Sequence, residues 1–382
     1  MLYRCCLSCT IALLLAPSAF LAQQLSNSSH KTSAEANDQH SGAHAILPEV
    51  NLDFEQGKPL QNVVASPVIA TPIHCGPDGF ALLQMLMPPD FRRTALYMVS
   101  KSRGRAISLS SIIGILKPQV VDVFDSDHFL GVLLYAVRTS VEDESPPSPG
   151  FFVALFKHNG NFQRLIELPQ HNIYSRFALL PSHDLITLEF DPNNAVAKLI
   201  LRDSDGEEVR ALQLPDALED VTSGAKQPST LKPGTGYLRS DMETLGGSAA
   251  VGRARFTSAG SHILLWIPGV QSITELGDYS AFRQMKIKTP EGYAFDSMIP
   301  STGLWIARFK RLGLSNTKPI DMRPESHNFV LYEVNPFDGH LQRRLNLGPH
   351  GSWLACANDG SLTVYKTDKE QHLIALTANI GR

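Results

Sequence analysis

The residues that could do chemistry by type and spacing are few, and each sits where the chain turns or packs. Asp125-x-Asp127-His128 sets two carboxylates beside an imidazole. That trio suits proton transfer or metal coordination, because both need an oxygen anion and a ring nitrogen side by side. Asp203-x-Asp205-Gly206-Glu207 resembles the opening of a calcium loop, with oxygen ligands at alternating positions, but the third acid is missing. Trp266, Trp305 and Trp353 fall early in apolar runs, where burial competes with a sugar-stacking role. His30, His40 and His44 are scattered through a polar segment without ligand spacing. Gly-x-Ser-x-Gly, His-Glu-x-x-His, Cys-x-x-Cys-His and a phosphate-cradling glycine loop do not occur. These observations assign no residue to catalysis, to a cofactor or to a metal. The two acidic groups read as hairpin turns and the tryptophans as core.

The elements that would hold these turns are short strands. Ile173–Leu214 divides into Ile173–Leu180, Leu185–Phe190, Ala195–Leu201 and Glu208–Leu214. Between them lie Pro181–Asp184, Asp191–Asn194 and Asp203–Gly206, all residues that accept tight or left-handed backbone angles at little steric cost. Four antiparallel strands in about forty residues is the length of one β-propeller blade. Pro77-Asp78-Gly79 makes a similar turn after Cys75, and Asn358-Asp359-Gly360 another after Cys356. The Pro-Asp-Gly turn resembles the one between the first two strands of YVTN-like and NHL-like propeller repeats. The resemblance is confined to turns; it implies the fold and brings no functional residues with it.

Laid against that unit, the rest of the chain supplies hairpins such as Thr94–Ser100 with Ala106–Ser111, Val120–Phe124 with Phe129–Val137, and Phe151–Phe156 with Phe162–Leu168. The expected fold is all-β, a single propeller of six blades. Seven blades are the alternative, with one concealed in 216–250, and a pair of β-sandwiches is a further competitor. The last blade ends one strand short, at His372–Thr377, so the N-terminal run Asn62–Ala70 is expected to complete it and remove an unpaired edge. In that register Cys75 and Cys356 occupy equivalent positions, each three residues before the Asp of its turn, in neighbouring blades. They are the disulfide candidates, with two buried thiols as the alternative.

Met1–Ala22 has the parts of a secretory signal: Arg4, the apolar run Leu7–Ala16, and small residues at Ser18, Ala19 and Ala22. The apolar run is shorter than the roughly 20 residues a spanning helix needs. The expected organisation is a signal at 1–22, a disordered or extended segment at 23–59 and a propeller domain at 60–382, in a secreted or periplasmic protein. Cys5, Cys6 and Cys9 leave with the signal. A formal net charge of −3 with 19 % charged residues gives no electrostatic footprint for nucleic acid.

Two charged insertions stand out, the acidic Glu142–Pro149 and the basic Lys310–His327. Function on rigid scaffolds tends to lie in loops. The expected function is therefore an exported, non-catalytic propeller, monomeric and without a cofactor, that binds a protein, peptide or glycan through loops at one mouth of its ring. The alternative is a hydrolase or lyase with its site on the central channel, where blades contribute one residue each.

Overall fold

The computed structural model describes residues 47–381 apart from 56, 58, 64–69, 76–79, 88–92, 101–102, 127, 140–147, 192–195, 216–217, 219–252, 277–281, 313–328, 349–354, 359, 368–369 and 371. The readings of Met1–Ala22, of His30, His40 and His44, of Asp127 and of Trp353 lie outside the described residues, as do most of both charged insertions.

The described strands form six antiparallel sheets in chain order. A short strand, β1 (Glu49–Asn51), precedes them. The first sheet holds β2 (Ala70–Cys75), β3 (Phe80–Met87), β4 (Arg93–Ser100) and β5 (Arg103–Ala106). The second holds β6 (Ile115–Asp125), β7 (Leu130–Arg138), β8 (Pro149–Phe156) and β9 (Phe162–Glu167). The third holds β10 (Ile173–Leu179), β11 (Leu185–Asp191), β12 (Val196–Arg202) and β13 (Glu208–Leu212). The fourth holds β14 (Arg255–Ala259), β15 (His262–Trp266), β16 (Ser272–Leu276) and β17 (Phe282–Lys286). The fifth holds β18 (Tyr293–Ile299), β19 (Ile306–Arg311), β20 (Phe329–Val334) and β21 (Leu341–Asn346). The sixth has three strands: β22 (Ala355–Asn358), β23 (Ser361–Thr367) and β24 (Leu373–Asn379). First strands of successive sheets pack side by side: β2 with β6, β6 with β10, β10 with β14, β18 with β22, and β22 back to β2. The chain is a single β-propeller.

Burial along the strands follows from that arrangement. Both β10 and β11 are buried at every residue, because neighbouring blades cover both faces. They accordingly read as near-continuous apolar runs instead of an alternating pattern. The outermost strand of the same blade, β13, is exposed along most of its length. The core lies between blades: Phe177 of β10 packs edge-on against Phe124 of β6, and both are buried.

Two expectations are corrected. The blade count is five, not six or seven: five sheets carry the full four-strand order, and the sixth has three. Of the run Asn62–Ala70, expected to close the last blade, residues 64–69 lie outside the described residues; Asn62 is a turn residue with φ 61° and Ala70 opens β2. Along the edge of β24 the described contacts come from an earlier segment, through isolated bridges of Phe54 to Ala378 and Pro59 to Ile374. A regular ladder does not form there, because Pro59 has no amide hydrogen to give. Gly57 also approaches so closely that a Cβ would sit 2.5 Å from the Ala375 carbonyl oxygen. Finally, Ala106–Ser111 is not a strand. Its strand is Arg103–Ala106, and Leu109–Ser111 form a 3-10 turn.

The segment 48–61 runs along three sheets in turn. β1 pairs in parallel with β21, and Arg344 N–H donates to the Pro48 carbonyl at 2.8 Å. Glu55 and Leu60 N–H groups donate to Thr377 and Leu373 of β24 at 3.0 and 2.9 Å. Gln61 then accepts from Gly104 N–H of β5 at 2.8 Å. Leu52 and Leu60 are buried in two different clusters along this path. Residues 48–61 thus pack with the compact unit that runs to the C-terminal end of the described residues.

One buried charge pair organises the third blade. Arg202 donates to both carboxylate oxygens of Glu189 at 2.8 and 3.0 Å, with 1 % and 0 % of the two side chains exposed. Its remaining donors reach Thr187 Oγ1 at 3.2 Å and the Gly206 carbonyl at 3.1 Å. Asn172 supplies a further hydrogen bond to Glu189 at 2.7 Å. The guanidinium lies over the Tyr174 ring, whose phenol is held well above the usual range, chiefly by burial. An ion pair of this kind stabilises little against a well-packed apolar substitute, yet breaking one half strands a charge at a cost of about 3–5 kcal/mol. Arg202→Met should therefore lower the unfolding free energy by about that amount in a denaturant titration, and Arg202→Met combined with Glu189→Leu should recover most of it. A double variant no more stable than the single one would show that the network matters for more than its charges.

Candidate functional site

The connections between the first and second strands of successive blades gather at one end of the ring. Asp125–His128 joins β6 to β7, Leu180–Asp184 joins β10 to β11, and Gly260-Ser261 joins β14 to β15. Together they line an open pocket of about 40 Å³. Phe124, Leu179 and Ile263 give it apolar walls, while Asp125, Ser126, His128, Ser261 and His262 supply polar groups. Its lining thus comes from three successive sheets.

At the same end, neighbouring sheets are laced to one another by main chain. Ser301 forms parallel bridges to both Ala259 and Ala357. Gly260 N–H donates to the Ser301 carbonyl at 2.8 Å, and Ala357 N–H to the Pro300 carbonyl at 3.0 Å. Parts of β14 come within 8 Å, Cα to Cα, of β2 and of β6. Charged residues of the first strands bond to neighbouring backbone: Asp122 accepts from Phe177 N–H at 3.2 Å, and Arg176 Nε donates to the Ala254 carbonyl at 2.9 Å. These bonds satisfy main-chain groups that water cannot reach.

Asp125 is buried, with 1 % of its surface exposed. His158 Nε2 lies 2.9 Å from its Oδ1 and 3.1 Å from the Ser126 carbonyl. Both neighbours are acceptors, so Nε2 carries the hydrogen and donates to them. His158 comes from the Lys157–Gly160 hairpin between β8 and β9 of the same blade. Ser126 Oγ donates to the Phe129 carbonyl at 3.1 Å and accepts from Phe129 N–H at 3.2 Å. Its hydroxyl closes the turn and is not set up as a nucleophile, because no imidazole nitrogen receives its proton.

Two further histidines stand at the rim. His128 is exposed, its ring edge-on to His183 at 6.3 Å. His262 pairs through Nδ1 with Glu275 and lies edge-on to Trp305 at 5.8 Å. Glu275 also accepts from Arg283 Nε at 2.8 Å. Among the described residues no three His, Cys, Asp or Glu side chains are grouped to hold a metal ion.

The sequence-derived candidates separate clearly. Of Asp125-x-Asp127-His128, the structure places Asp125 and His128 at one cavity. In Asp203-x-Asp205-Gly206-Glu207, Asp203 Oδ1 accepts from the Asp205 and Glu207 N–H groups at 2.9 and 3.0 Å, a hairpin turn. Gly206 there has φ +95°, and a Cβ on it would meet the Glu167 carbonyl of the preceding blade at 2.7 Å, so the turn is built for packing. Trp266 and Trp305 are buried, and Trp266 Nε1 donates to Thr257 at 2.8 Å, which removes them as sugar platforms. Cys75 and Cys356 sit on β2 and β22 with Cα atoms 5.8 Å apart and their sulfurs in contact. Sequence reasoning missed His158, Ser261 and His262. The Asn159-Gly160 turn signal placed His158 on a hairpin, but nothing local marked a partner 33 positions away.

Neither a family model nor a curated protein matches the chain. Solved structures do. A DUF4221 family member from Bacteroides vulgatus is similar over 86 % of this chain and 97 % of its own, at 10 % identity and TM-score 0.47. Virginiamycin B lyase from Staphylococcus aureus, in a catalytically inactive form with Quinupristin, is similar over 86 % and 100 %, at 11 % identity and TM-score 0.39. The Pan2 WD40 domain of Neurospora crassa is similar over 84 % and 94 %, at 9 % identity and TM-score 0.37. At such similarities nothing about ligand or activity passes to this chain, and its fold rests on its own sheet order.

Proposed function

We propose that this protein is an exported, non-catalytic β-propeller, monomeric in solution, that binds a protein, peptide or glycan at the mouth where the first-to-second-strand turns meet. Met1–Ala22 is its cleaved export signal. The observation that carries the reading is the cavity itself, framed by turns of three blades and rimmed by exposed His128 and Ser261. The polar side chains beneath it, Asp125, Ser126 and His158, are bonded within their own blade. That pattern suits a rigid recognition surface better than a site that must change protonation during a reaction. Mature protein starting at Gln23 should bind discrete members of a mixed peptide and oligosaccharide array. Ser261→Trp, which fills the cavity mouth from an exposed turn, should remove that binding with melting unchanged. Array binding that survives Ser261→Trp, or release of cleaved probe by the mature protein, would sink the reading.

The ring is further proposed to be fastened by segment 48–61 and by a Cys75–Cys356 disulfide, both between the last sheet and the first. Removing residues 23–61 should destabilise the fold by at least about 3 kcal/mol, since Leu52 and Leu60 each lose roughly 1.5–3 kcal/mol of burial. Removing 23–46 should cost little, and equal melting of the two truncations would exclude the strap. For the bridge, the denatured, unreduced mature chain should take up no thiol label, and Cys75→Ala with Cys356→Ala should lower stability by about 2–5 kcal/mol. Two labelled thiols would exclude it.

A further inference from the structure

We propose that His128 and His183 together bind one divalent transition-metal ion of the class that prefers imidazole, Zn²⁺, Ni²⁺ or Cu²⁺, at the mouth of the ring. The site goes beyond the binding reading above and does not depend on it.

Two turns of neighbouring blades bring the imidazoles together. His128 ends the connection between β6 and β7, and His183 lies in the one between β10 and β11. Their rings stand 6.3 Å apart, centre to centre, with planes at 85°. An ion bonded to an imidazole nitrogen at about 2.0–2.1 Å lies roughly 3.2 Å from the ring centre. Two rings sharing one ion are therefore roughly 5.2 Å apart at a tetrahedral angle and at most about 6.4 Å apart in line. The observed spacing falls inside that range, and a small rotation of either exposed ring bends the arrangement from linear. Both histidines are exposed, and among the described residues neither ring makes a hydrogen bond or an ion pair. The third histidine of the mouth, His262, differs, because its Nδ1 is engaged by Glu275.

The turns hold both rings in place. Ser126 Oγ accepts from the His128 and Phe129 N–H groups at 3.4 and 3.2 Å. His183 N–H donates to the Leu180 carbonyl at 2.9 Å, and Leu180 N–H to the Asp184 carbonyl at 2.9 Å. His183 has φ 73°, an angle that glycine or asparagine takes with less strain. Its ring lies edge-on to Phe129 at 4.9 Å, which keeps it against the second blade. Ligands fixed before the ion arrives lose little freedom on binding it. The donor atoms choose the metal. Imidazole nitrogen suits Zn²⁺, Ni²⁺ and Cu²⁺, whereas Mg²⁺ and Ca²⁺ take oxygen ligands. No third His, Cys, Asp or Glu completes the set among the described residues. Two protein ligands leave positions open to water or to a donor atom of a bound molecule, and His128 also lines the pocket.

The test follows the imidazole signals of His128 and His183 by NMR while Zn²⁺ is added to the full mature chain, with Mg²⁺ as the control. Single variants, His128→Gln and His183→Asn, assign the signals, and asparagine keeps the left-handed turn at 183. Both signals should move along one binding curve, at lower Zn²⁺ than those of His30, His40 and His44, and Mg²⁺ should move neither. Removing either histidine should weaken Zn²⁺ binding at the other roughly tenfold or more, because the second ligand acts at high effective concentration. Equal Zn²⁺ binding by His183 in the parent and in His128→Gln would overturn the shared site. The parent titration decides even where a variant does not fold. Two separate curves, or a response no tighter than that of His30, His40 and His44, would mean adventitious binding to single imidazoles and overturn the proposal. No array ligand enters this measurement, so the metal site can fail while the binding reading stands, and the reverse.

Discussion

Inner strands covered on both faces leave their polar groups no water to bond, and that constraint organises the structure. Every backbone or side-chain polar group near the axis must find a partner in the protein. Asp122 and Arg176 meet it by bonding to the main chain of the next inner strand. Ser301 meets it by bridging two blades at once. Glu189 and Arg202 meet it as a closed network with Thr187 and Asn172. Charges inside this ring therefore serve first to satisfy backbone groups and one another. Where the turns emerge, at His128 and Ser261, polar side chains are exposed.

Packing between blades imposes a second condition, borne by turns more than by strands. The hairpin at Asp205-Gly206 docks on the last residues of β9, and Arg164 of β9 reaches back to the Ser204 carbonyl. Gly339, with φ +74°, repeats the arrangement two blades on, where a Cβ would meet the Lys286 carbonyl at 2.5 Å. A side chain at either glycine would push neighbouring blades apart as well as strain the turn. The Asp-Gly pairs thus serve hairpin closure and ring assembly together.

The seam between the sixth sheet and the first is treated differently from the others. It carries the two cysteines, and the segment 48–61 crosses the outer strands on either side of it. This is where the two ends of the chain must meet without the continuity that joins every other pair of blades. A three-stranded last sheet leaves β24 with an open edge, the feature most exposed to unwanted pairing. Covering it with a proline- and glycine-containing segment blocks a regular ladder from extending further.

Much of this protein is legible from local physics alone. Strand positions, hairpin turns and the four-strand blade unit follow from apolar runs punctuated by Gly, Pro, Asn and Asp, because turn geometry depends only on neighbouring residues. The closeness of Cys75 and Cys356 is legible too, since equivalent turns place them in the same strand of adjacent blades. What depends on distant parts of the chain is not. Sequence reasoning did not single out Phe54 and Pro59, because only the edge of β24, more than 300 positions away, gives them partners. Asp125 reads as a solvated turn because nothing nearby in sequence shows that His158 covers it from another hairpin. The cavity itself belongs to three blades whose contributions lie far apart in the chain, so tertiary structure alone decided that a site exists there. Backbone conformation is set by near neighbours, whereas burial and the convergence of side chains are set by closure of the ring.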